Sequence, residues 1–430
     1  MMDTAFADDT APPREPPYAW LRLCVSVMLM TLGGAGMYSV TVVLPQIQAE
    51  FAVSRSDASL PYTLTMLGFG LGGILMGRLS DRYGVLAPIV TGTLGISLGF
   101  IWAGSASSLL QFSLAQALFI GMLGTSATLA PLVADTSQWF TWRRGIALGI
   151  CMSGNYLAGA VWPPIMQYFI DSVGWRHTYI GMGLFCLASM LPLALVYRRR
   201  PPVLAPAPAP RTGRRERPYI LESRQSDPAR PLGLSPGALL VLLCIAGVAC
   251  CVAMSMPQVH IVAYCGDLGF GAARGAQMLS LMLGMGIASR LLSGWIADHI
   301  GGLRTLLLGG LLQGLALLMF LGADGLVSLY VVSALFGLFQ GGIVPAYALI
   351  VREYFAPGVA GARVGTVLMA TLFGMALGGW MSGAIYDLSG SYRAAFMNGI
   401  AWNMLNLSIV GFLLYRARRG AKAAGLPARA

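Results

Sequence analysis

Twelve long apolar stretches, separated by short polar segments, occupy the sequence from end to end. A helix needs about 20 mostly apolar residues to cross the hydrocarbon core of a bilayer. Hydrocarbon offers no hydrogen-bonding partners to the backbone, so stretches of this kind must be helices. The predicted spans are 19–45, 57–77, 86–104, 108–134, 143–170, 177–197, 236–264, 272–297, 304–322, 325–351, 361–387 and 393–415. The sequence therefore predicts an all-α membrane protein with twelve transmembrane helices.

The composition excludes an ordinary soluble domain, because 56% of the residues are hydrophobic and 10% are charged. Soluble domains usually carry about 25% charged residues. In a soluble chain the net charge of +11 would favour nucleic acid as a partner, but here the arginines fall in predicted loops on one membrane side. The seven cysteines are scattered through apolar segments without ligand spacing, so we expect neither a metal site nor a disulfide framework.

One loop motif occurs twice and divides the chain into similar halves. The pattern Gly-x-x-x-Asp-x-x-Gly is centred on Asp81 after span two and on Asp298 after span eight, 217 positions later. Two further pairs repeat at similar offsets, namely Pro45-Gln46 with Pro257-Gln258 and Asp171-x-x-Gly174 with Asp387-x-x-Gly390. Two parallel repeats of six spans predict two pseudo-symmetric bundles, with a substrate cavity near the bilayer midplane between them.

The segments outside the spans differ sharply in composition from the spans. The predicted organisation is a disordered tail (1–18), an N-terminal bundle (19–197), a cytoplasmic Pro/Arg-rich linker (198–235), a C-terminal bundle (236–415) and a basic tail (416–430). A segment rich in proline and arginine cannot bury a core, so the linker is expected to be flexible.

The loop charges predict the orientation in the membrane, because cytoplasmic loops carry an excess of arginine and lysine. One side receives Arg78, Arg82, Arg143, Arg144, the linker, Arg304, Arg352, Arg363, Arg416, Arg418, Arg419 and Lys422, and the other receives Arg55, Arg176, Arg274 and Arg393. We therefore expect a multi-pass protein of the cytoplasmic membrane with both termini in the cytoplasm.

The doubled loop motif resembles the signature loop of the major facilitator superfamily. Within that superfamily the chain is similar to the monocarboxylate porters and the oxalate/formate antiporters, and three segments carry the similarity. These are Trp139-Phe140-x-Trp-Arg143-Arg144-Gly145-x-Ala147-x-Gly149, Ala288-Ser289-Arg290-Leu291 and Arg352-Glu353-Tyr354-Phe355. The resemblance implies alternating-access transport of small carboxylates, often with a proton, and a carboxylate-binding role for Arg290.

The chain also departs from the animal members of that family in two places. They carry an aspartate one turn before the span-eight arginine, where this chain has Gly286, and a lysine in span one, whereas Lys422 is the only lysine here. Bacterial relatives are more similar to this chain at His260 and Asp267. Proton coupling by the animal scheme is therefore not implied.

Arg290 is the strongest candidate for substrate binding on physical grounds. A charge at the bilayer centre costs about 2.5–3.5 kcal/mol, and the matching position in the first half is Gly73, so the scaffold itself does not need it. A guanidinium matches a carboxylate with two parallel hydrogen bonds. The acids nearest the spans, Asp81, Asp135, Asp298 and Glu353, lie near helix ends, which leaves a ligand carboxylate as the expected counter-ion.

A cavity around Arg290 also needs hydrogen-bonding groups on apolar walls. Candidates near mid-span are Tyr38, Ser126, Thr128, Asn155 and Tyr347. Asn155 equally fits a helix–helix hydrogen bond, and both tyrosines equally fit packing roles.

Two further groups of residues fit coupling and gating. Asp267 and His260 are candidates for proton coupling, the alternative being a solvated loop acid and an interfacial histidine. Asp81, Arg82, Arg144, Asp298 and Arg363 are candidates for a cytoplasmic gate that closes in the outward-open state, the alternative being topology determinants only.

These observations predict a secondary active transporter of a small monocarboxylate, similar to lactate or pyruvate, coupled to protons. No cofactor is expected, and the proton gradient is the expected source of energy. The expected partners are the anion, protons and the lipid bilayer, and the protein is expected to be a monomer. The alternatives are an organic-anion exchanger of the oxalate/formate type and a porter for other organic acids. A drug antiporter would require a buried acid, and a non-transporting sensor would use 198–235 as its output segment.

Overall fold

The computed structural model describes residues 16–140, 144–199 and 231–423, and these are almost entirely helical. The helices are α1 Pro17–Phe51, α2 Arg55–Tyr83, α3 Leu86–Gly104, α4 Leu109–Trp139, α5 Arg144–Val173, α6 Trp175–Arg198, α7 Pro236–Asp267, α8 Ala272–Ile300, α9 Gly302–Leu321, α10 Leu326–Tyr354, α11 Pro357–Ser389 and α12 Tyr392–Ala423. Twelve helices in the described part are long and apolar enough to cross a membrane. The predictions of an all-α fold and twelve spans are confirmed.

Two of the helices are interrupted at corresponding positions. The π-helical part of α4, Ala115–Thr125, is followed by a break at Thr128 and Leu129 before the chain resumes as Ala130–Trp139. In α10, Leu326–Gln340 and Ile343–Tyr354 are separated by Gly341 and Gly342. Matching interruptions in the two halves of a transporter are a pointer to the binding site, because a broken helix frees backbone groups near the midplane.

The packing of the helices repeats between the halves. In the N-terminal half α1 packs on α5, α2 on α4 and α3 on α6; in the C-terminal half α7 packs on α11, α8 on α10 and α9 on α12. The two halves meet chiefly through α2 against α11 and α5 against α8, with a smaller contact of α1 with α7. This symmetry follows from the repeat in the sequence.

Glycines permit the closest of these approaches. A Cβ added at Gly68 would overlap the Ala117 carbonyl of α4, and one added at Gly337 would overlap the Met282 carbonyl of α8. The two contacts correspond to each other, since α2 packs on α4 in the N-terminal half as α8 packs on α10 in the C-terminal half. Small residues let membrane helices pack backbone to backbone where no hydrophobic effect is available to hold them together.

The last glycine of each copy of the loop motif ends a helix. Gly84 and Gly301 have φ values of 80° and 86°, a left-handed conformation that favours glycine. Their amides donate to the carbonyls of Ser80 and Ala297 at 2.8 and 2.9 Å. The motif therefore fixes the turn after α2 and the turn after α8 in the same way.

The helices run between two faces of the molecule. We call the face that carries the start of α1 and the end of α12 the terminal face, and the other the opposite face. Near the opposite face the halves touch, since Cβ atoms added at Gly379 and Gly383 of α11 would lie 2.9 Å from the Tyr62 ring and from the Arg55 carbonyl oxygen of α2.

Toward the terminal face the halves separate. The main contacts between the halves are made by α2, α5, α8 and α11. Each of these helices has at least one glycine farther toward the terminal face where an added Cβ would meet nothing within 4 Å. These are Gly73 and Gly77 of α2, Gly145 and Gly149 of α5, Gly294 of α8, and Gly361 and Gly365 of α11. A cleft between the halves therefore opens to the terminal face.

The described residues cover part of the predicted segments between and beyond the bundles. Residues 1–15 of the predicted tail and 200–230 of the predicted linker lie outside them, as do Arg143 and residues 424–430. α12 continues to Ala423, through the first part of the stretch predicted as a basic tail. The end of the linker is attached to this helix, because Arg416 donates hydrogen bonds to the carbonyls of Leu232 and Gly233 at 2.9 Å each.

Candidate functional site

Arg290 of α8 lies at the inner end of the cleft and reaches across to the other half. Its Nη1 donates a hydrogen bond to the Met152 carbonyl of α5 at 3.1 Å. The carbon of its guanidinium lies 4.8 Å from the centre of the Tyr156 ring, also on α5. A cation over an aromatic face is stabilised by the ring quadrupole. The charge is therefore held by a carbonyl and a ring, without a carboxylate among the described residues.

One nitrogen of this guanidinium lacks a hydrogen-bond acceptor among the described residues. Nε of Arg290 is buried and has no hydrogen-bond partner in the described part of the chain. A buried donor without a partner costs about 1–3 kcal/mol, and more when it is charged. The Nε–Nη2 edge is also the edge that binds a carboxylate with two parallel hydrogen bonds. A carboxylate ligand would supply the missing acceptors.

Two of the predicted substrate residues lie beside Arg290. The hydroxyl of Tyr38 donates to Oδ1 of Asn155 at 3.3 Å, which links α1 to α5. Tyr38 lies within electrostatic range of Tyr156 and Arg290. The structure therefore brings Tyr38, Asn155 and Arg290 into one cluster, to which Tyr156 contributes the aromatic face.

Thr128 borders a small cavity next to this cluster. The cavity has a volume of about 10 Å³ and is lined by Met30, Gly34, Phe69, Thr125, Thr128, Leu129 and Asn155. A volume of that order is close to the least that holds one water molecule. Thr128 itself is buried, and its hydroxyl donates to the Thr125 carbonyl at 2.9 Å.

The two helix interruptions lie against this region. The break in α4 contains Thr128 and Leu129, which line the small cavity together with Asn155. The break in α10 packs on α8, since a Cβ added at Gly341 would lie 2.8 Å from Cβ of Ser289, the neighbour of Arg290. The two breaks thus flank the cluster from opposite halves, as expected for a site at a repeat interface.

Two predicted substrate residues lie elsewhere, and their placement corrects the expectation that they line the cavity with Arg290. Ser126 is fully buried between α2 and α4, where its hydroxyl donates to the Met122 carbonyl at 2.5 Å. Tyr347 is 0% exposed and donates to Oδ1 of Asn406 at 3.0 Å, which joins α10 to α12 inside the C-terminal half. Hydropathy places both residues within predicted spans but carries no information about which way each helix face points.

Asp267 takes part in a second polar cluster, which joins the halves at the opposite face. Nη2 of Arg55, at the start of α2, pairs with Oδ1 of Asp267 at 3.2 Å. The carboxylate of Asp387, at the end of α11, accepts from the amides of Arg55 and Ser56 at 2.9 and 2.8 Å. A carboxylate at a helix N-terminus satisfies free amides and complements the helix dipole. We call Arg55, Asp267, Asp387, Tyr392 and His260 the opposite-face cluster.

His260 is the buried end of that cluster, with 0% exposure. Nη1 of Arg55 donates to the Tyr392 hydroxyl at 2.9 Å, and this hydroxyl lies 3.2 Å from Nδ1 of His260. Nε2 of His260 lies 2.8 Å from the Gly379 carbonyl of α11, so this nitrogen must carry the proton. A ring protonated at Nε2 alone accepts at Nδ1 from the Tyr392 hydroxyl. The alternative interpretation of His260 as an interfacial histidine is corrected, because protein encloses the ring.

A shallow groove of about 540 Å³ borders the same cluster, and Arg55, Asp267, Gln48 and Pro45 are among its lining residues. Asp267 is therefore reached from the opposite face, whereas His260 is fully buried and is linked to Arg55 through Tyr392. Asp267 does not pair with Arg290. The candidate for proton coupling, Asp267, and the candidate for substrate binding, Arg290, therefore belong to different clusters.

The predicted gate residues lie at the terminal face. Asp81, Arg82 and Asp298 are exposed, and the Arg82 guanidinium lies 5.2 Å from the Tyr83 ring. The Arg363 guanidinium lies 4.3 Å from the ring of Phe355, a residue of its own half. The side chain of Arg144 lies outside the described residues. The gating role stays a prediction for the state in which the cleft is closed.

Sequence reasoning missed a buried ion pair in the N-terminal half. Arg22 of α1 is bidentate on Asp135 of α4, with Nε–Oδ2 at 2.6 Å and Nη2–Oδ1 at 2.7 Å. Its Nη1 donates to the carbonyls of Val196 and Arg199 at the end of α6. A lone arginine and a lone aspartate near the ends of two predicted spans were the available signal, but the sequence does not say that they meet.

It also missed Tyr156 and Arg55. Tyr156 follows the candidate Asn155, and only the fold shows that its ring lies on the guanidinium of Arg290. Arg55 was assigned to a loop by its position between spans, whereas the structure buries it at the start of α2.

Known proteins resemble this chain along most of its length. The family model for the Major Facilitator Superfamily matches residues 25–331. Monocarboxylate transporter 13 of Bos taurus is 26% identical over 397 residues, which cover 89% of this chain and 87% of the relative. Monocarboxylate transporter 11 of Homo sapiens is 26% identical over 416 residues, covering 92% and 82%. The agnestins efflux protein of Paecilomyces divaricatus is 26% identical over 340 residues, covering 77% and 73%.

The fold also matches a solved structure. A bacterial homologue of the human lysosomal transporter Spinster, in an inward-facing and unoccupied conformation, superposes with a TM-score of 0.70 at 15% sequence identity. The match covers 95% of this chain and 99% of the other. At this identity the likeness concerns the fold alone.

Proposed function

Because the chain belongs to the Major Facilitator Superfamily, we propose that it carries a small monocarboxylate, similar to lactate or pyruvate, across the cytoplasmic membrane by alternating access with a coupled proton. The comparisons identify a multi-pass membrane transporter rather than an enzyme. Relatives named as monocarboxylate transporters support the choice of substrate class, since they align over most of the chain.

The observation that carries the proposal is the unpartnered Nε of Arg290. The guanidinium lies at the inner end of a cleft between the halves, and its buried Nε has no partner in the described residues. A cation in this position attracts an anion, and a planar fork favours a carboxylate over a halide. Tyr38 and Asn155 supply hydrogen-bonding groups beside it.

The terminal face is proposed to be the cytoplasmic face, because arginines are concentrated there. The described helix ends place Arg78, Arg82, Arg304, Arg352 and Arg363 on that face. The cleft would then open to the cytoplasm, and the opposite-face cluster would close the external side. Breaking the pair of Arg55 with Asp267 is one step by which this side could open.

Proton coupling is proposed for the opposite-face cluster. Asp267 faces the groove and pairs with Arg55, which donates to Tyr392, and Tyr392 contacts His260. A proton on Asp267 would remove the charge that holds Arg55, and would therefore weaken the contact between the halves at this face. Coupling would then act through the external gate, at a distance from the anion.

Uptake into proteoliposomes tests the substrate and the coupling together. We expect the purified protein to take up at least one of a panel of labelled C2–C6 monocarboxylates, faster with an imposed acid-outside gradient. Arg290→Gln should lower uptake by about 100-fold, because removing one partner of a buried charge pair costs about 2–5 kcal/mol. Arg274→Gln is the matched control, since Arg274 is exposed at the opposite face and its side chain hydrogen-bonds only to Gln277 among the described residues.

Normal uptake by Arg290→Gln would contradict the carboxylate-binding role. The second candidate is an organic-anion exchanger, favoured by the fixed positive charge of Arg290, which makes return of an empty carrier unfavourable. Counterflow without dependence on a pH gradient would support exchange over symport, and would remove the coupling role from Asp267.

A further inference from the structure

The ring of Tyr156 fills the place from which α8 would otherwise neutralise its own arginine. Side chains four apart on a helix are neighbours, so an acid at position 286 would be well placed to pair with Arg290. Position 286 is a glycine, and a Cβ there would overlap Cε1 of Tyr156 and lie 2.5 Å from Cδ1. The same ring has its face toward the guanidinium, at 4.8 Å. No side chain fits at position 286 while Tyr156 keeps this position.

Within the part of the chain that the structure describes, no acid is among the electrostatic neighbours of Tyr156 or Tyr38. The titratable neighbours of Tyr156 are Arg290 itself with Cys250 and Cys251 of α7, and α1 contributes Tyr38. From α10, a Cβ added at Gly341 would overlap the Gly286 carbonyl oxygen, so this helix presents a glycine here. None of these groups is a carboxylate or an imidazole.

We infer that Tyr156 takes the place of a protein counter-ion at Arg290 and positions the guanidinium so that its Nε–Nη2 edge is left for the carboxylate of the substrate. This inference rests on the proposed function and adds a specificity determinant to it. Tyr156 is a positioning residue, because it acts on the anion through Arg290.

Two consequences follow for the substrate. Since one face of the guanidinium is covered by the ring, the carboxylate approaches in the plane of the guanidinium. Since an arginine stays charged at any physiological pH, the site recognises the ionised acid and binds no proton of its own. A coupled proton is then carried elsewhere in the molecule. The affinity for the substrate does not depend on the protonation of a group in this site.

A double-mutant cycle tests the geometry. We expect Tyr156→Phe to keep the substrate KM within about 2-fold, because the Tyr156 hydroxyl makes no hydrogen bond to the described residues. Tyr156→Leu should raise KM by about 3- to 30-fold with little change in kcat, the range for a lost cation–π contact. Gly286→Ala should raise KM similarly, because it displaces the ring, and Gly286→Ala/Tyr156→Leu should be no worse than either single variant.

Gly284→Ala is the matched control on the same helix, since its added Cβ meets only Ala160, at an ordinary distance of 3.8 Å. Folding of each variant is checked by gel filtration. Additive effects of Gly286→Ala and Tyr156→Leu, or a loss caused equally by Gly284→Ala, would overturn the inference. An unaffected KM in Tyr156→Leu would overturn it as well.

A second measurement supplies the missing acid. In Gly286→Asp/Tyr156→Ala, the aspartate can pair with Arg290 and compete with the substrate. We expect the Kd of this variant for the monocarboxylate to be about 10-fold or more above that of Gly286→Asn/Tyr156→Ala, which has nearly the same shape without the charge. Equal Kd values for these two double variants would contradict the inference.

The outcomes separate this inference from the proposed function. If Arg290→Gln keeps normal uptake, the anion site itself is wrong. If Arg290→Gln abolishes uptake while the Tyr156 and Gly286 variants behave like the Gly284 control, only the role of Tyr156 is wrong.

Discussion

Two arginines of the helices, Arg22 and Arg290, are in opposite situations. Arg22 is 3% exposed and is surrounded by partners: Asp135 binds it bidentately, and the rings of Trp139 and Tyr197 lie 4.9 and 4.4 Å from its guanidinium carbon. Arg290 has one carbonyl and one ring, and its Nε is left without a partner in the part of the chain that the structure describes.

The difference distinguishes a structural charge from a functional one. A buried pair contributes to stability only when each partner is present, and the loss of one leaves a charge that nothing compensates. An arginine with an unpaired buried nitrogen lowers the stability of the fold, but that nitrogen is available to a ligand. Arg55 is intermediate, because its partner Asp267 belongs to the other half, so the pair exists only while the halves are closed at this face.

The largest expected effect is on stability in the N-terminal half. Asp135→Ala should destabilise the protein by about 3–5 kcal/mol, because it leaves the Arg22 charge buried and unpaired. Thermal unfolding in detergent, followed by gel filtration, measures this. Arg22→Met/Asp135→Leu should lose less than Asp135→Ala alone. Asp57→Ala, at an exposed position, is the control; equal stability of all three variants would mean that the pair is not structural.

The next effect concerns Arg55. Arg55→Gln removes the pair with Asp267 and the bond to Tyr392, and should favour opening at the opposite face. In a variant without native cysteines, Ala376→Cys reports opening, since Ala376 is 2% exposed and its carbonyl accepts from Thr63 across the halves. Its labelling by an impermeant thiol reagent should rise about 10-fold or more, the effect of one charged hydrogen bond. Unchanged labelling would show that this contact does not hold the halves together.

A smaller effect is expected at the polar groups beside Arg290. Asn155→Ala and Tyr38→Phe each remove the bond between these side chains, and each should raise KM by about 2- to 10-fold, the range for one neutral hydrogen bond. Tyr347→Phe is the comparison, because Tyr347 bonds to Asn406 inside the C-terminal half. A KM effect of Tyr347→Phe as large as that of Tyr38→Phe would place Tyr347 at the substrate after all.

The smallest expected effect is on the stability of Arg290→Met. The variant loses a hydrogen bond to the Met152 carbonyl but also removes an incompletely paired charge from the bundle interior, so the net change should be within about 1 kcal/mol. The apparent melting temperature in detergent measures this. A loss as large as that of Asp135→Ala would mean that Arg290, like Arg22, is primarily structural.

Much of the frame could be predicted from the sequence, because hydropathy and repeat spacing are local properties of the chain. The twelve spans were located this way, and the turns after α2 and α8 follow from Gly84 and Gly301 in the doubled motif. Arg290 was singled out as a charge among apolar residues. The partners could not be predicted in the same way: Asp267 lies against Arg55, 212 positions away, and Tyr347 lies against Asn406.

The sequence alone determined that this protein spans a membrane with twelve helices in two similar halves, since apolar stretches of about 20 residues satisfy their own backbone hydrogen bonds in lipid as helices. Only the tertiary structure decided which charges are neutralised inside the protein, because a partner is set by the direction in which a helix face points and by where the halves meet. In the fold, Arg22 is paired with the carboxylate of Asp135, whereas Arg290 lies against the ring of Tyr156.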